Sequence, residues 1–91
     1  MNYSVAGIAE ASEFAIQLYP NPTTGMMTVQ FAESLHISEM NVTDVTGRIV
    51  RLQNDFTAET IQLDLSKESK GVYFLNVRVG THLQTLKITK Q

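Results

Sequence analysis

Gly71-Val72-Tyr73-Phe74-Leu75-Asn76-Val77-Arg78-Val79-Gly80-Thr81-His82-Leu83-Gln84-Thr85-Leu86-Lys87-Ile88-Thr89-Lys90, residues 71–90, is the stretch on which the fold turns. Tyr73, Leu75, Val77 and Val79 alternate, less cleanly, with Phe74, Asn76 and Arg78, and Leu86 and Ile88 alternate with Thr85, Lys87 and Thr89. A two-residue period puts one side of each segment against a core and the other in water. Gly80-Thr81 sits between them as a type II′ loop would, with Gly first. A hairpin of residues 72–79 and 82–89 is therefore expected.

The same period runs upstream. Ile16 and Leu18 flank Gln17. Met27, Val29 and Phe31 alternate with Thr28 and Gln30, and Met40 and Val42 with Asn41 and Thr43. Ile61, Leu63 and Leu65 alternate with Gln62 and Asp64. Residues 48–52 read as a strand whose buried face the pattern leaves open. Val45-Thr46-Gly47-Arg48 places Gly where a three-residue hairpin loop needs a positive φ. Asn54-Asp55 and Ser66-Lys67-Glu68-Ser69-Lys70 read as longer connections. About seven short strands so punctuated predict an all-β domain, an immunoglobulin-like antiparallel β-sandwich over residues 16–91. Residues 1–15 lack the alternation. Ile8, Ala11 and Ala15 make a weak helical stripe, uncapped and disfavoured by Gly7, so this segment is expected to be a linker.

The chain has 91 residues, room for one domain, with 43% hydrophobic residues, 18% charged and no cysteine. Disulfides, thiol catalysis and thiolate metal sites are thereby excluded. A net charge of −2 with scattered Lys and Arg offers no electrostatic footprint for nucleic acid or an anionic membrane. The N-terminus has neither the basic region nor the apolar run of an export leader. If the domain is exported, its leader lies upstream on a larger protein.

Catalytic chemistry finds no support. His36 and His82, the two imidazoles, fall on different segments without a ligand partner at metal spacing. Asp44, Asp55 and Asp64 are isolated, and Ser66 lies in no nucleophile elbow. No metal, cofactor, small-molecule substrate or enzymatic activity is expected.

Four patterns in order resemble one family. Tyr19-Pro20-Asn21-Pro22-Thr23-Thr24-Gly25 is similar to its opening signature, and Asp44-Val45-Thr46-Gly47-Arg48 to its central hairpin. Gly71-Val72-Tyr73-Phe74 is similar to its Gly-x-Tyr motif. Gly80 followed by Thr85-Leu86-Lys87-Ile88-Thr89-Lys90 resembles its terminal basic strand. These are the C-terminal sorting domains of the type IX (Por) secretion system of Bacteroidetes. Against that background the sequon Asn41-Val42-Thr43 is an accidental match.

The resemblance implies a domain at the end of a cargo protein, with that N-terminal cargo domain in cis. The cargo folds in the periplasm, and the sorting domain directs it through the type IX outer-membrane translocon. A sortase-like cysteine protease then removes the domain, leaving the cargo at the cell surface or extracellular. Gly71, Tyr73, Gly80, Lys87 and Lys90 are then the expected recognition residues, with Pro20, Asn21, Pro22, Gly25, Asp44 and Gly47 as structural motif. The processing site is expected in the linker, around Ser4, Ala6, Gly7, Ala11, Ser12 and Ala15, because a protease needs an extended segment free of the sheet.

The patterns also have plain structural readings. Pro20 and Pro22 favour extended geometry, and Gly25 can release the turn. Tyr73 is a tyrosine corner or an ordinary core tyrosine. Lys87 and Lys90 could protect an edge strand. An adhesive or carbohydrate-binding sandwich, or an inert spacer, are the rival functions. The first would need an exposed aromatic platform that a chain without Trp is poorly equipped to build.

Overall fold

The computed structural model describes residues 15–91. It contains five strands, β1 (Ile16–Tyr19), β2 (Met26–Asp44), β3 (Ile49–Asp64), β4 (Gly71–Val79) and β5 (His82–Lys90), and no helix among the described residues. All strand pairs are antiparallel. The sheet runs β1-β2-β4-β5, with β3 paired to β2 as well.

The expected count of seven is thus corrected to five. β2 joins the predicted strands around Met27–Phe31 and Met40–Val42 into one of 19 residues. β3 likewise joins residues 48–52 to 61–65, and Asn54-Asp55, expected as a connection, lies inside it. Asp55 takes a positive φ of 54° there, so the residue that reads as a turn bends the strand without ending it.

Nineteen residues at ~3.3 Å per residue would extend to roughly 60 Å. The molecule's longest dimension is 39 Å, so β2 must bend. The bend falls where its register against β3 shifts: residues 31–34 of β2 stand opposite Glu59 alone, between the pairs Gln30↔Thr60 and Leu35↔Ala58. Extra residues on one strand kink it and increase its twist. The β2–β3 ribbon therefore curls back on itself. Met26↔Asp64 at one end and Val42↔Arg51 at the other are brought close enough for Arg51 to donate to the Asp64 carbonyl at 2.8 and 3.1 Å.

The curl encloses one core. Met27, Val29 and Phe31 come from the first half of β2, and Met40 and Val42 from the second. Leu63, Leu65, Tyr73, Leu75, Val77 and Ile88 complete it. These are the residues picked out by the two-residue period. Ile37, also fully buried, is the addition, lying between the break in the period at residues 32–34 and the change of phase before Met40. On β3, Val50 packs against the core while Ile49 and Leu52 face solvent, which settles the face left open by the sequence.

Candidate functional site

The motifs converge on one end of the molecule. Between β1 and β2, residues 20–25 form a turn in which both X-Pro bonds are cis. Its side chains behave as backbone. Asn21 donates from Nδ2 to the Lys87 carbonyl, and its Oδ1 accepts from the Thr89 amide, each at 3.0 Å. Thr23 continues along the same edge: its amide donates to the Thr89 carbonyl at 2.9 Å, and its carbonyl accepts from the Gln91 amide at 2.8 Å. Thr23 is buried, yet its hydroxyl is satisfied, accepting from the Gly25 amide and donating to the Met26 carbonyl. The turn is thus laced to the end of β5, with Thr23 bridged to Lys90 in parallel.

Gly25 owes its place to crowding rather than to a special φ. A Cβ there would stand 2.9 Å from both Cα and Cβ of Ser66, while the Gly25 carbonyl accepts from the Leu65 amide at 2.8 Å. This corrects the expectation that Gly25 releases the turn by its freedom of rotation.

Asp44 and Gly47 shape the β2–β3 hairpin. Gly47 has φ 90°, and the Gly47 amide donates to the Asp44 carbonyl at 3.0 Å. Asp44 Oδ1 accepts from the Thr46 hydroxyl and from the amides of Thr46 and Arg48, and Oδ2 from Arg48 Nε. The Thr46 hydroxyl and then the Arg48 bonds hold this carboxyl far below the usual carboxylate range.

Across the sheet Asp44 pairs with Tyr73 and Tyr73 with Ile88. The Tyr73 hydroxyl donates to the Ser69 carbonyl at 2.5 Å, a tie-back in the manner of a tyrosine corner. Gly71 pairs with Lys90. So Pro20, Asn21, Pro22, Gly25, Asp44, Gly47, Gly71, Tyr73 and Lys90 gather at one end. Gly80 does not join them. With φ 63° it turns the β4–β5 hairpin at the far end of a nine-residue strand, and no non-glycine at that turn has a positive φ, as a type II′ loop requires.

The two lysines part company. Lys87 is exposed on β5, whereas Lys90 is buried at 9% exposure beside the Thr23 turn. Lys90 therefore belongs to the seam and does not guard an open edge. Thr23 is the residue that sequence reasoning passed over. Its only signal was a hydroxyl residue two positions before Gly25. Ser4, Ala6, Gly7, Ala11 and Ser12 lie outside the described residues, and Ala15 is exposed just before β1.

His36 contacts Asp55 (Nε2 to Oδ1, 2.9 Å) and Thr57 (Nδ1 to Oγ1, 3.2 Å) on the exposed ribbon. No group of three metal-ligating side chains occurs among the described residues. The aromatics build no platform either: Phe31 and Tyr73 are buried, Phe56 and Phe74 half-buried, and Tyr19 alone is exposed among those described.

The family model of the secretion system C-terminal sorting domain matches residues 17–91. The chain belongs to that family. No curated protein matches it. The matched span starts within β1 and runs through β5, so it takes in all of the laced sheet of this sorting domain but Ile16. As a member of the family, the sorting domain serves as a signal for type IX secretion, acting with that machinery and directing export toward the outer membrane or cell surface.

Proposed function

We propose that this sorting domain works as a folded recognition surface whose face is the β4–β5 hairpin and its tail. The observation that carries the reading is the lacing of residues 20–25 to residues 87–91. It holds the terminal strand in one fixed position, which is what recognition by shape requires of a domain with a net charge of only −2. The two halves of the curled ribbon take the place of the two layers of an immunoglobulin-like sandwich. The domain performs no chemistry of its own. Its partners are the type IX translocon, a cargo domain in cis on the N-terminal side, and a sortase-like cysteine protease. It passes through the periplasm to the cell surface or the medium.

Processing occurs between Ser4 and Ala15, ahead of the first strand. The roughly twelve residues of this window span about 40 Å when extended, enough to hold a bond clear of both folded neighbours. Mass spectrometry of the released fragment locates the cut, and a fragment beginning after Gly25 would refute this placement.

Recognition is tested by fusing residues 1–91 to a periplasmically exported reporter, in cells with and without a working translocon. Surface delivery is expected only in the first. Lys87→Ala separates recognition from folding, because Lys87 is exposed; Lys90 lies in the seam, and its substitution perturbs both. Surface delivery independent of the translocon would overturn the reading.

A further inference from the structure

The outer edge of β5 is covered for only half its length. In its ladder with β4, Val79↔His82 closes the hairpin, so the even-numbered residues of β5 exchange bonds with β4 and the odd-numbered ones turn their N–H and C=O away. The lacing confirms the phase, since Asn21 and Thr23 bond to Lys87, Thr89 and Gln91. Upstream of that point the amides of Leu83, Thr85 and Lys87 and the carbonyls of Leu83 and Thr85 meet no partner among the described residues. Five main-chain groups in a row form a template for another strand.

Edges that must stay unpaired are usually broken by Pro, by a bulge or by dense charge. This one has none of the first two, and β5 keeps register with β4 from end to end. Its side chains on the outward face are Leu83, 67% exposed, then Thr85, then exposed Lys87. One bond fixes the strand from that face, as Thr85 Oγ1 donates to Asn76 Oδ1 at 2.8 Å and Asn76 donates to Asn41 Oδ1 at 2.8 Å. The other half of the same edge already takes main-chain bonds from outside the sheet: the turn of residues 20–25 lies on it, with Thr23 bridged in parallel to Lys90.

We propose that residues 83–87 bind an extended segment of the export machinery by strand addition. The segment is one that carries an apolar residue beside Leu83 and an acidic residue beside Lys87, four positions apart on the same side of the added strand. Main-chain bonds supply the affinity, and these two side chains the selectivity. The added strand stops at Asn21, which already occupies the rest of the edge. The proposal rests on the hairpin being the recognised face and specifies how it is read.

Thr85→Pro tests it in the reporter fusion. Proline removes an amide hydrogen that points away from β4, a position where an edge strand tolerates it. The variant is expected to melt cooperatively, while delivery of the reporter to the surface falls at least tenfold. A folded Thr85→Pro fusion delivered at the wild-type level overturns strand addition. If Thr85→Pro does not melt cooperatively, Leu83→Pro blocks the same edge nearer the hairpin tip and is judged by the same two outcomes. A wild-type fusion delivered equally well without the translocon refutes the sorting surface itself, a different failure. Sedimentation adds one more outcome: a wild-type dimer that either proline makes monomeric would give the edge to a second copy of this chain and overturn the proposal.

Discussion

A single methyl group at Gly25 separates a sequence motif from the geometry behind it. Ser66 backs directly onto that position, so Gly25→Ala forces two backbone segments apart or rotates the turn that carries Thr23. Overpacking of this kind costs about 1–3 kcal/mol. Thermal melting should show a lowered midpoint for Gly25→Ala, and an unchanged midpoint would mean that Ser66 yields freely. Asp44 makes its contribution through charge. Its folded pKa lies well below the ordinary aspartate value of ~3.9. Its contribution is therefore full above that ordinary value and is lost as pH falls through the folded one. Asp44→Asn should be less stable than wild type at neutral pH, and the gap should narrow as pH drops below about 4. Some acid sensitivity will remain in the variant, because hydrogen bonding from Ser66 holds the Asp64 carboxyl low as well. A gap that stays constant with pH would show that the Asp44 contribution does not come from its charge.

At the scale of strands, the lacing of the opening turn to β5 should be separable from the rest of the sheet. Asn21→Ala removes both side-chain bonds to the edge at Lys87 and Thr89. With each neutral bond contributing about 0.5–1.5 kcal/mol, a loss of about 1–2 kcal/mol is expected at this exposed site. Hydrogen exchange is the sharper measurement: the Thr89 amide should exchange at least tenfold faster, while the Leu75 amide, deep in β4, follows only the global change. Equal acceleration at both would mean that the turn and β5 open only with the whole fold.

Strands were the part of the fold most legible in the sequence, and their continuity was the least. Met27, Val29 and Phe31, then Met40 and Val42, announce themselves by period. Between them Ala32-Glu33-Ser34 breaks it, because residues 31–34 bulge where the ribbon bends. A bulge erases the alternation that would have revealed one strand instead of two. Asn54-Asp55 misled for a related reason, since a residue suited to positive φ marks a bend as readily as a loop. At the candidate site, the Gly-x-Tyr pattern left Tyr73 open between a tyrosine corner and an ordinary core tyrosine, and the tie-back closes over four residues. The bonds of Asn21 close over 66 and 68 residues, a distance at which local spacing is silent.

Taken whole, the molecule is a curled sheet with two open flanks, each fastened by a few side chains. Opposite the Asn21 and Thr23 flank, Arg51 spans the gap, donating to the carbonyls of Val50 and Asp64 and to Glu68 Oε2. Arg51→Met keeps the stem and removes these bonds. Partial exposure discounts the charged contacts, leaving a cost of about 1–2 kcal/mol, read as a lowered urea midpoint. An unaltered midpoint would assign closure of that flank to the core alone.

The lacing also imposes an order in time. Residues 20–25 emerge early from any channel that passes the chain N-terminus first, but their fastening partners follow some 66 residues later. Contacts so distant along the chain form late and slowly. Until residues 87–91 are free, the opening turn has nothing to grip, and the outer edge of β5 stays uncovered. A domain truncated or delayed in transit would thus present no finished face to a receptor. The opening turn and the outer edge of the last strand are thereby made in one structural event.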